Sequence, residues 1–351
     1  MSIEIMSYAG EKIYVGIDVH KDTYSVTCIC NKAVVKRATV KTDPTGFSHS
    51  LQAWFKGAAI DTVYEAGFSA FVLHRALTKV GIKNILVNPA SLAVAANDKV
   101  KTDKRDSRKL ATDLADGRLT GIFVPTEEEE LARLIPRTRA QIVEHRATVA
   151  RQIKAKLHQF GLIPPLCKRA ISSRYLRMIE GWVLPGELKI CLKMLADLWR
   201  SLSGQLLEMR RLLREQAETE PQSALETVYR SVPGIGPVVA RTLATELGDM
   251  SRFRNERSLF SYTGLTPSEY SSGGSVRRGH ISRQGSSRVR HLLVETAWRA
   301  IARDEVLKEI FERIARTRGK KRAIIAIARR LVGRIRGCFR QQTLYAIGTY
   351  V

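Results

Sequence analysis

The hydrophobic spacing changes several times along the first 126 residues, and each change marks an element. Residues 12–18 (KIYVGID) form an apolar run of strand length. Residues 23–30 and 33–40 alternate or run β-branched on either side of Asn31-Lys32, a pair suited to a tight turn, so three antiparallel strands are expected. Residues 45–56 have helical spacing, 61–65 (DTVYE) form a short strand ending at Glu65, 69–80 are helical and 84–87 (NILV) form a strand. Pro89 is placed to open another helix, and the pattern is helical again from Asp103 to Arg118. Farther on, the spacing is helical almost throughout. Residues 131–160 carry Leu134, Ile142, Val149, Ile153 and Leu157, and Pro164-Pro165 ends the run. Residues 188–216 are stricter: Leu188, Leu192, Leu195, Trp199, Leu202, Leu206, Met209 and Leu213 alternate steps of four and three, the seam of a coiled coil. Two such helices joined by a bend predict an antiparallel pair or arms that dimerise, and an ordinary bundle fits the pattern equally. Residues 257–263 look helical, 264–288 lack apolar spacing, and 289–303 and 322–339 read as amphipathic basic helices.

The order β-β-β-α-β-α-β-α is that of the ribonuclease H and RuvC type of fold. There the first and fourth strands are neighbours at the sheet centre, so their ends bring Asp18 and Glu65 together. The fold class expected is therefore an α/β RNase H/RuvC-like domain over 1–126. A helical coiled-coil region over 127–220 follows, then a mostly α domain over 221–351. In the last domain, SVPGIGPVVARTLATEL at 231–247 has the outline of a helix-hairpin-helix. Gly234 and Gly236 would let backbone N–H groups approach a phosphate beside a helix N-terminus, and a plain turn between helices is the competing explanation.

Charge sharpens this picture. The 351 residues carry a formal net charge of +24, which favours a polyanionic partner. Residues 230–351 hold 24 Lys and Arg against 9 Asp and Glu, whereas 1–126 hold 17 against 12, so the excess lies towards the C-terminus and is mostly Arg. The five cysteines, Cys28, Cys30, Cys167, Cys191 and Cys338, lack a second pair or histidine spacing for zinc and are expected to be reduced thiols. Met1 to Gly10 holds Glu4 and no long apolar run, and no stretch approaches the ~20 residues of a membrane span. A cytoplasmic, nucleoid-associated protein that avoids membranes is expected.

Four carboxylates carry the candidate chemistry: Asp18 in GIDVHKD, Glu65 in YEAG, and Asp103 and Asp106 in KTDKRDSRKLA. Asp103 and Asp106 share a helix face. Four acids at one point repel unless cations hold them, so a site for Mg²⁺ or Mn²⁺ is expected. Taken singly, each acid is as easily a solvated residue or a helix-terminal charge. Lys101, Lys104, Arg105 and Arg108 crowd the approach to these acids, as a solvated face or as a hold on a nucleic-acid backbone. His20 is expected to meet solvent or phosphate in the turn after the first strand. The loop Ser271-Ser272-Gly273-Gly274-Ser275 is flanked by Arg277 and Arg278, with Arg283 and Arg288 beyond. Its glycines allow close approach to a phosphate, and the residues alone favour a flexible phosphate-binding loop over a nucleophile.

GIDVHKD, YEAG, KTDKRDSRKLA, SVPGIGPVVARTL and FSYTGLTPSEYSSGGSVRRGHISRQGSSRVRHLLVETA together resemble the one-hundred-ten family of insertion-sequence transposases, with its eleven-eleven subgroup. The resemblance spans nearly the whole chain. It implies an RNA-guided DNA recombinase in which Asp18, Glu65, Asp103 and Asp106 form the metal-binding set of a RuvC-like domain. It also implies a nucleophilic serine two residues after the aromatic of the LTPxxY segment, which is Ser272 here. The partners implied are donor and target DNA, a structured non-coding guide RNA, and further copies of the chain as dimers assembling to tetramers. Two other readings compete: a Holliday-junction-type endonuclease using metal-activated water, and an inert nucleic-acid-binding scaffold.

Overall fold

The structure, a computed structural model, describes residues 8–92, 103–162, 170–218, 222–269 and 278–348; at 103, 104, 222 and 278 the backbone alone is described. The chain divides after Thr126 into two units.

In the first unit, β1 (Lys12–Val19), β2 (Thr23–Cys30) and β3 (Ala33–Lys41) form an antiparallel meander. Asn31 and Lys32 both take positive φ, 47° and 66°, as a tight hairpin turn with right-handed strand twist requires. Helix α1 (Pro44–Trp54) starts on Asp43, whose carboxylate accepts from the Gly46 N–H. It leads to β4 (Ala59–Glu65), then α2 (Val72–Lys79) and β5 (Lys83–Val87). β4 lies parallel to β1, giving the order β3-β2-β1-β4-β5. Pro89 opens only a single 3-10 turn, Pro89–Ser91, and α3 runs from Asp103 to Ala115.

Alternation along the strands sends their two faces to different partners. Ile13, Val15 and Ile17 of β1, with Ile60 and Tyr64 of β4, join Phe47, Leu51, Leu73 and Leu77 in a core under α1 and α2. On the opposite face, Val63 and Val87 pack on Leu110 of α3. There α3 lies directly on β1 at Gly16, where a Cβ would stand 2.0 Å from the Ser107 carbonyl oxygen and 2.5 Å from the Ala111 nitrogen. The Ser107 hydroxyl shares a buried hydrogen bond of 2.9 Å with Thr27 of β2. No helix of the described residues is long and apolar enough to cross a membrane.

The second unit is mostly helical. The continuous helix expected over 131–160 is two, α4 (Glu127–Ala132) and α5 (Leu134–Gln159), and an unforeseen α6 (Ser173–Glu180) precedes α7 (Gly186–Ala217). The seam of α7 is used within the chain: Leu188, Leu192, Trp199 and Leu202 are buried with Val149, Ile153 and Leu157 of α5 and Leu176 and Ile179 of α6. α5 and α7 run antiparallel, with Arg146 over the Trp199 ring at 5.5 Å.

Next come α8 (Gln222–Arg230), α9 (Pro237–Leu247) and α10 (Glu256–Thr263). Then β6 (Pro267–Glu269) and β7 (Arg278–Ile281) form an antiparallel pair, followed by α11 (Ser287–Ala300), α12 (Glu305–Arg318) and α13 (Lys320–Gln341). The buried faces of α8 to α13 make one core. Cys28, Cys30, Cys191 and Cys338 are free thiols, and burial pushes Cys28 up to about 12.

The contact at Gly16 yields a stability prediction. Gly16→Ala must lift α3 from the sheet or displace the backbone at Ser107, so it should cost about 1–3 kcal/mol, typical of overpacking. Chemical denaturation compared with Gly117→Ala as a control for strained glycines checks this; equal midpoints for Gly16→Ala and wild type would refute the close contact.

Candidate active site

The first-unit site is built by one strand pair and one helix. The parallel register sets Ile17 against Tyr64, so Asp18 and Glu65 are the next residues on neighbouring central strands. Asp18 follows Gly16 on the α3-facing side of β1, and Glu65 follows Val63 on the same side of β4. The direction of α3 decides what meets them. Its C-terminal end, Leu114 and Ala115, lines a small cleft with Lys12 and Tyr14 at the start of β1 and Asp61 at the start of β4. Its first turn therefore points to the carboxyl ends of these strands. Along α3 the sheet-facing stripe reads 103, 106, 107, 110, 111, 114 at helical spacing. Among the described side chains this stripe is small or apolar over the sheet, from Ser107 to Leu114, and ends in the half-buried Asp106 towards the first turn.

Asp18 and Glu65 are half-buried, as is Asp106. The His20 Nε2 lies 3.1 Å from Asp18 Oδ2, so the imidazole faces the carboxylate rather than only solvent. Among the described residues no three His, Cys, Asp or Glu side chains converge into a ready metal site, and the Asp103 side chain lies outside them. What fits a hard divalent cation is the donor set itself: all-oxygen carboxylates at two adjacent strand ends beneath a helix N-terminus. Arg105 and Arg108 are exposed on α3. Lys101 lies outside the described residues, as do Ser271, Ser272, Ser275 and Arg277; of Lys104 and Arg278 the backbone alone is described.

In the second unit, the serine-rich segment that lacked any apolar spacing is bracketed by two strands. β6 and β7 pair Pro267 with Ile281 and Glu269 with Arg278, so 270–277 connect the strands of a hairpin. Its base is closely packed: Gly264 (φ 65°) and Gly285 (φ 105°) leave no room for a Cβ, the latter lying against the Tyr262 carbonyl. Arg290 donates to the carbonyls of Thr263 and Arg283, bracing the same base. Arg283 is exposed.

Arg288 has a partner within the protein: its guanidinium donates to Glu246 Oε1 at 3.2 Å. Glu246 is 2% exposed and is the hub of this unit. Arg137 of α5 grips it bidentately at 2.8 and 2.9 Å, while Arg133 donates to the Thr245 carbonyl at 2.8 Å and Arg252 to the Glu246 carbonyl at 2.7 Å. Nothing in the acid's own surroundings in sequence, ATELGD, announced this role. Burial alone would raise the Glu246 pKa; the Arg137 hydrogen bonds and the charges of Arg137, Arg133 and Arg288 outweigh it and hold the carboxyl below its ordinary value.

Gly234 and Gly236 separate in role. Gly234 (φ 89°) would place a Cβ 2.5 Å from the Arg299 Cβ, so it serves the turn between α8 and α9 and its packing on α11. Gly236 caps α9 with open space around it and no side-chain cap.

Comparison with known proteins identifies the family. The profile described as "Transposase IS116/IS110/IS902 family" matches residues 227–312, and a second, described as "Transposase" and bearing the DEDD designation of the IS110 group, matches 15–161. The chain is 32% identical over 299 residues to the putative transposase y4qE of Sinorhizobium fredii, covering 77% of this chain and 73% of that one. It is 27% identical over 340 residues to the transposase for insertion sequence element IS1533 of Leptospira borgpetersenii, covering 94% and 96%. It is 23% identical over 353 residues to the transposase for IS1111A of Coxiella burnetii, covering 95% and 91%. The chain belongs to the IS116/IS110/IS902 family of transposases, and the RuvC-like DEDD domain of that family is matched over residues 15–161, which take in most of the first unit and the start of the second.

The Glu246 cluster predicts a pH effect. The folded carboxyl titrates below its unfolded value, so its stabilisation is complete above the ordinary glutamate range and is lost as pH falls through the lowered folded value. Glu246→Ala should cost about 3 kcal/mol, the lower end for breaking a buried pair, because Arg137 and Arg288 keep partial access to water. Urea denaturation from neutral to acid pH should show the wild-type advantage shrinking with acid; a constant difference would contradict the ionised hub.

Proposed function

We propose that this transposase cuts and rejoins DNA by transesterification, with Asp18, Glu65, Asp103 and Asp106 holding Mg²⁺ or Mn²⁺ and Ser272 as nucleophile. The observation that carries the proposal is the acidic end of the α3 stripe over the carboxyl ends of β1 and β4, where Asp18 and Glu65 share one face. A divalent cation bound there polarises a phosphodiester and stabilises charge on its oxygens. His20, beside Asp18, holds that carboxylate in place. Arg105 and Arg108 on α3, with Lys101 and Lys104, hold the phosphate backbone, as do the N–H groups at Gly236. The Ser272 hydroxyl gives up its proton and forms an O–P bond. The scissile oxygen leaves and takes a proton, and the strand remains joined to the protein. Attack by the hydroxyl end of another strand restores the backbone and frees the serine, so no external energy source is consumed. The hairpin made by β6 and β7 supports this assignment, because its paired strands and packed base flank residues 270–277 in sequence, with Arg283 exposed at that base.

The resemblance in sequence extends the proposal to partners. A structured non-coding RNA pairs with donor and target DNA, and the protein assembles as dimers and tetramers in the cytoplasm. The buried α7 seam is spent on α5 and α6 within one chain, so other surfaces make the assembly.

The test is a strand-exchange assay with Mg²⁺, donor and target DNA and the non-coding RNA flanking the element. Asp18→Asn and Glu65→Gln should abolish exchange and leave nucleic-acid binding intact. Ser272→Ala should bind normally, yet form no covalent protein–DNA adduct, and mass spectrometry of the wild-type adduct should place the bond on Ser272. Cleavage by Ser272→Ala with no adduct would favour the water-using endonuclease instead; an adduct on Ser271 or Ser275 would move the nucleophile within the loop.

A further inference from the structure

We propose that the groove between the base of the β6–β7 hairpin and the start of α13 is a single-strand nucleic-acid site. It would take backbone phosphates on Lys320, Lys321 and Arg322 and stack one base on Trp298. The proposal rests on the reading of the chain as a nucleic-acid enzyme and names a place and a strand state which that reading does not contain.

The groove has a volume of about 1050 Å³ and is lined on one side by Pro267, Gly279 and Ile281 of the hairpin and on the other by the first turn of α13. Among the described residues no Asp or Glu lines it, whereas Arg283, Arg318, Lys320, Lys321 and Arg322 do. Among the described residues no ion pair engages Lys320, Lys321 or Arg322, and all three are exposed. Their position is unfavourable in the protein alone. They occupy the opening turn of a 22-residue helix with no acid in that turn and no side-chain cap on its N–H groups, so three cations face the positive end of the helix dipole. A sequence that places three cations against the local electrostatic rule calls for an anion there. Phosphates supply it to the side chains and the N–H groups together.

The second observation is aromatic. Trp298 reaches this groove from α11 and is 42% exposed, and Phe311 packs against it edge to face at 5.5 Å, which fixes the indole without covering it. A fixed, exposed indole amid cations is the combination that holds unpaired bases. In a duplex each base is stacked between neighbours and has no free face to offer. A groove of this size admits a short run of unpaired nucleotides and not a double helix. The hairpin strands lining it bracket residues 270–277, so an unpaired strand held here lies against the base of the loop that carries Ser272. Strand exchange frees such strands after each cut.

The test measures binding of the full chain to a short labelled oligothymidylate and to a duplex of matched length, over a range of salt. Lys320→Ala with Lys321→Ala and Arg322→Ala should lower the slope of log K against log salt for the single strand by about 2, at about 0.7 per lost phosphate, and leave the duplex slope unchanged. Trp298→Ala should weaken the single strand about 5- to 150-fold, the range for one stacked base, with the salt slope intact, and Trp298→Phe should restore most of it. The triple variant changes only exposed side chains, so its result stands even if Trp298→Ala unfolds. Equal losses for single strand and duplex in the triple variant, or unchanged oligothymidylate affinity in folded Trp298→Ala, would overturn the proposal. Wild-type protein that binds duplex but not oligothymidylate would overturn the groove alone; binding to neither would overturn the nucleic-acid reading itself.

Discussion

The first unit depends on the absence of a side chain at Gly16. That absence lets α3 rest on the backbone of β1, with the Ser107–Thr27 hydrogen bond fixing the contact and Leu110 anchoring the helix on Val63 and Val87. Any larger residue would separate helix from strand by the width of a methyl group. Of the acids at the start of α3, Asp106 adjoins Ser107 in this contact, and the backbone of Asp103 lies one turn before it. The position of the α3 backbone at Asp106 is therefore set by backbone packing on β1. Carboxylates at neighbouring strand ends concentrate negative charge, a setting that suits a hard divalent cation.

The second unit has a comparable fixed point in Glu246. One buried carboxylate meets Arg137 from α5 and Arg288 from α11, and its own carbonyl receives Arg252. Those partners come from segments far apart in sequence, so the cluster ties the long helical pair to the helices behind the hairpin. Charge spent here is unavailable for phosphate. The net charge of +24 therefore overstates the charge free for a polyanion, and the Arg288–Glu246 pair is a contact that position in sequence does not show. The first turn of α13 is the opposite case, with cations that meet no carboxylate among the described residues.

The α/β unit was legible in the sequence because its signals are local. Asn31-Lys32 fixes a hairpin, apolar runs fix strands, and the element order then dictates that β1 and β4 are neighbours. Asp18 and Glu65 follow from that order without any tertiary information. Other features depend on distant partners. β6 and β7 have three and four residues and an irregular register, too short for alternation to show. α12 carries a clear cap in Asp304 and buried Val306, Leu307 and Ile310, yet its many charges mask the stripe. The α7 heptads were legible as a seam, but a seam does not say whether its partner lies in the same chain. Gly234 reads in sequence as a phosphate-binding glycine; its tight contact with Arg299 appears only once α11 is in place.

The central claim is that Asp18 and Glu65, beneath the first turn of α3, hold a divalent cation. Anomalous diffraction from crystals of the full chain grown with Mn²⁺ tests it most directly. The expected result is a peak bound by Asp18 and Glu65 together with Asp103, Asp106 or both, lost in Asp18→Asn. A peak held by other residues, or one that survives unchanged in Asp18→Asn with Glu65→Gln, would contradict it.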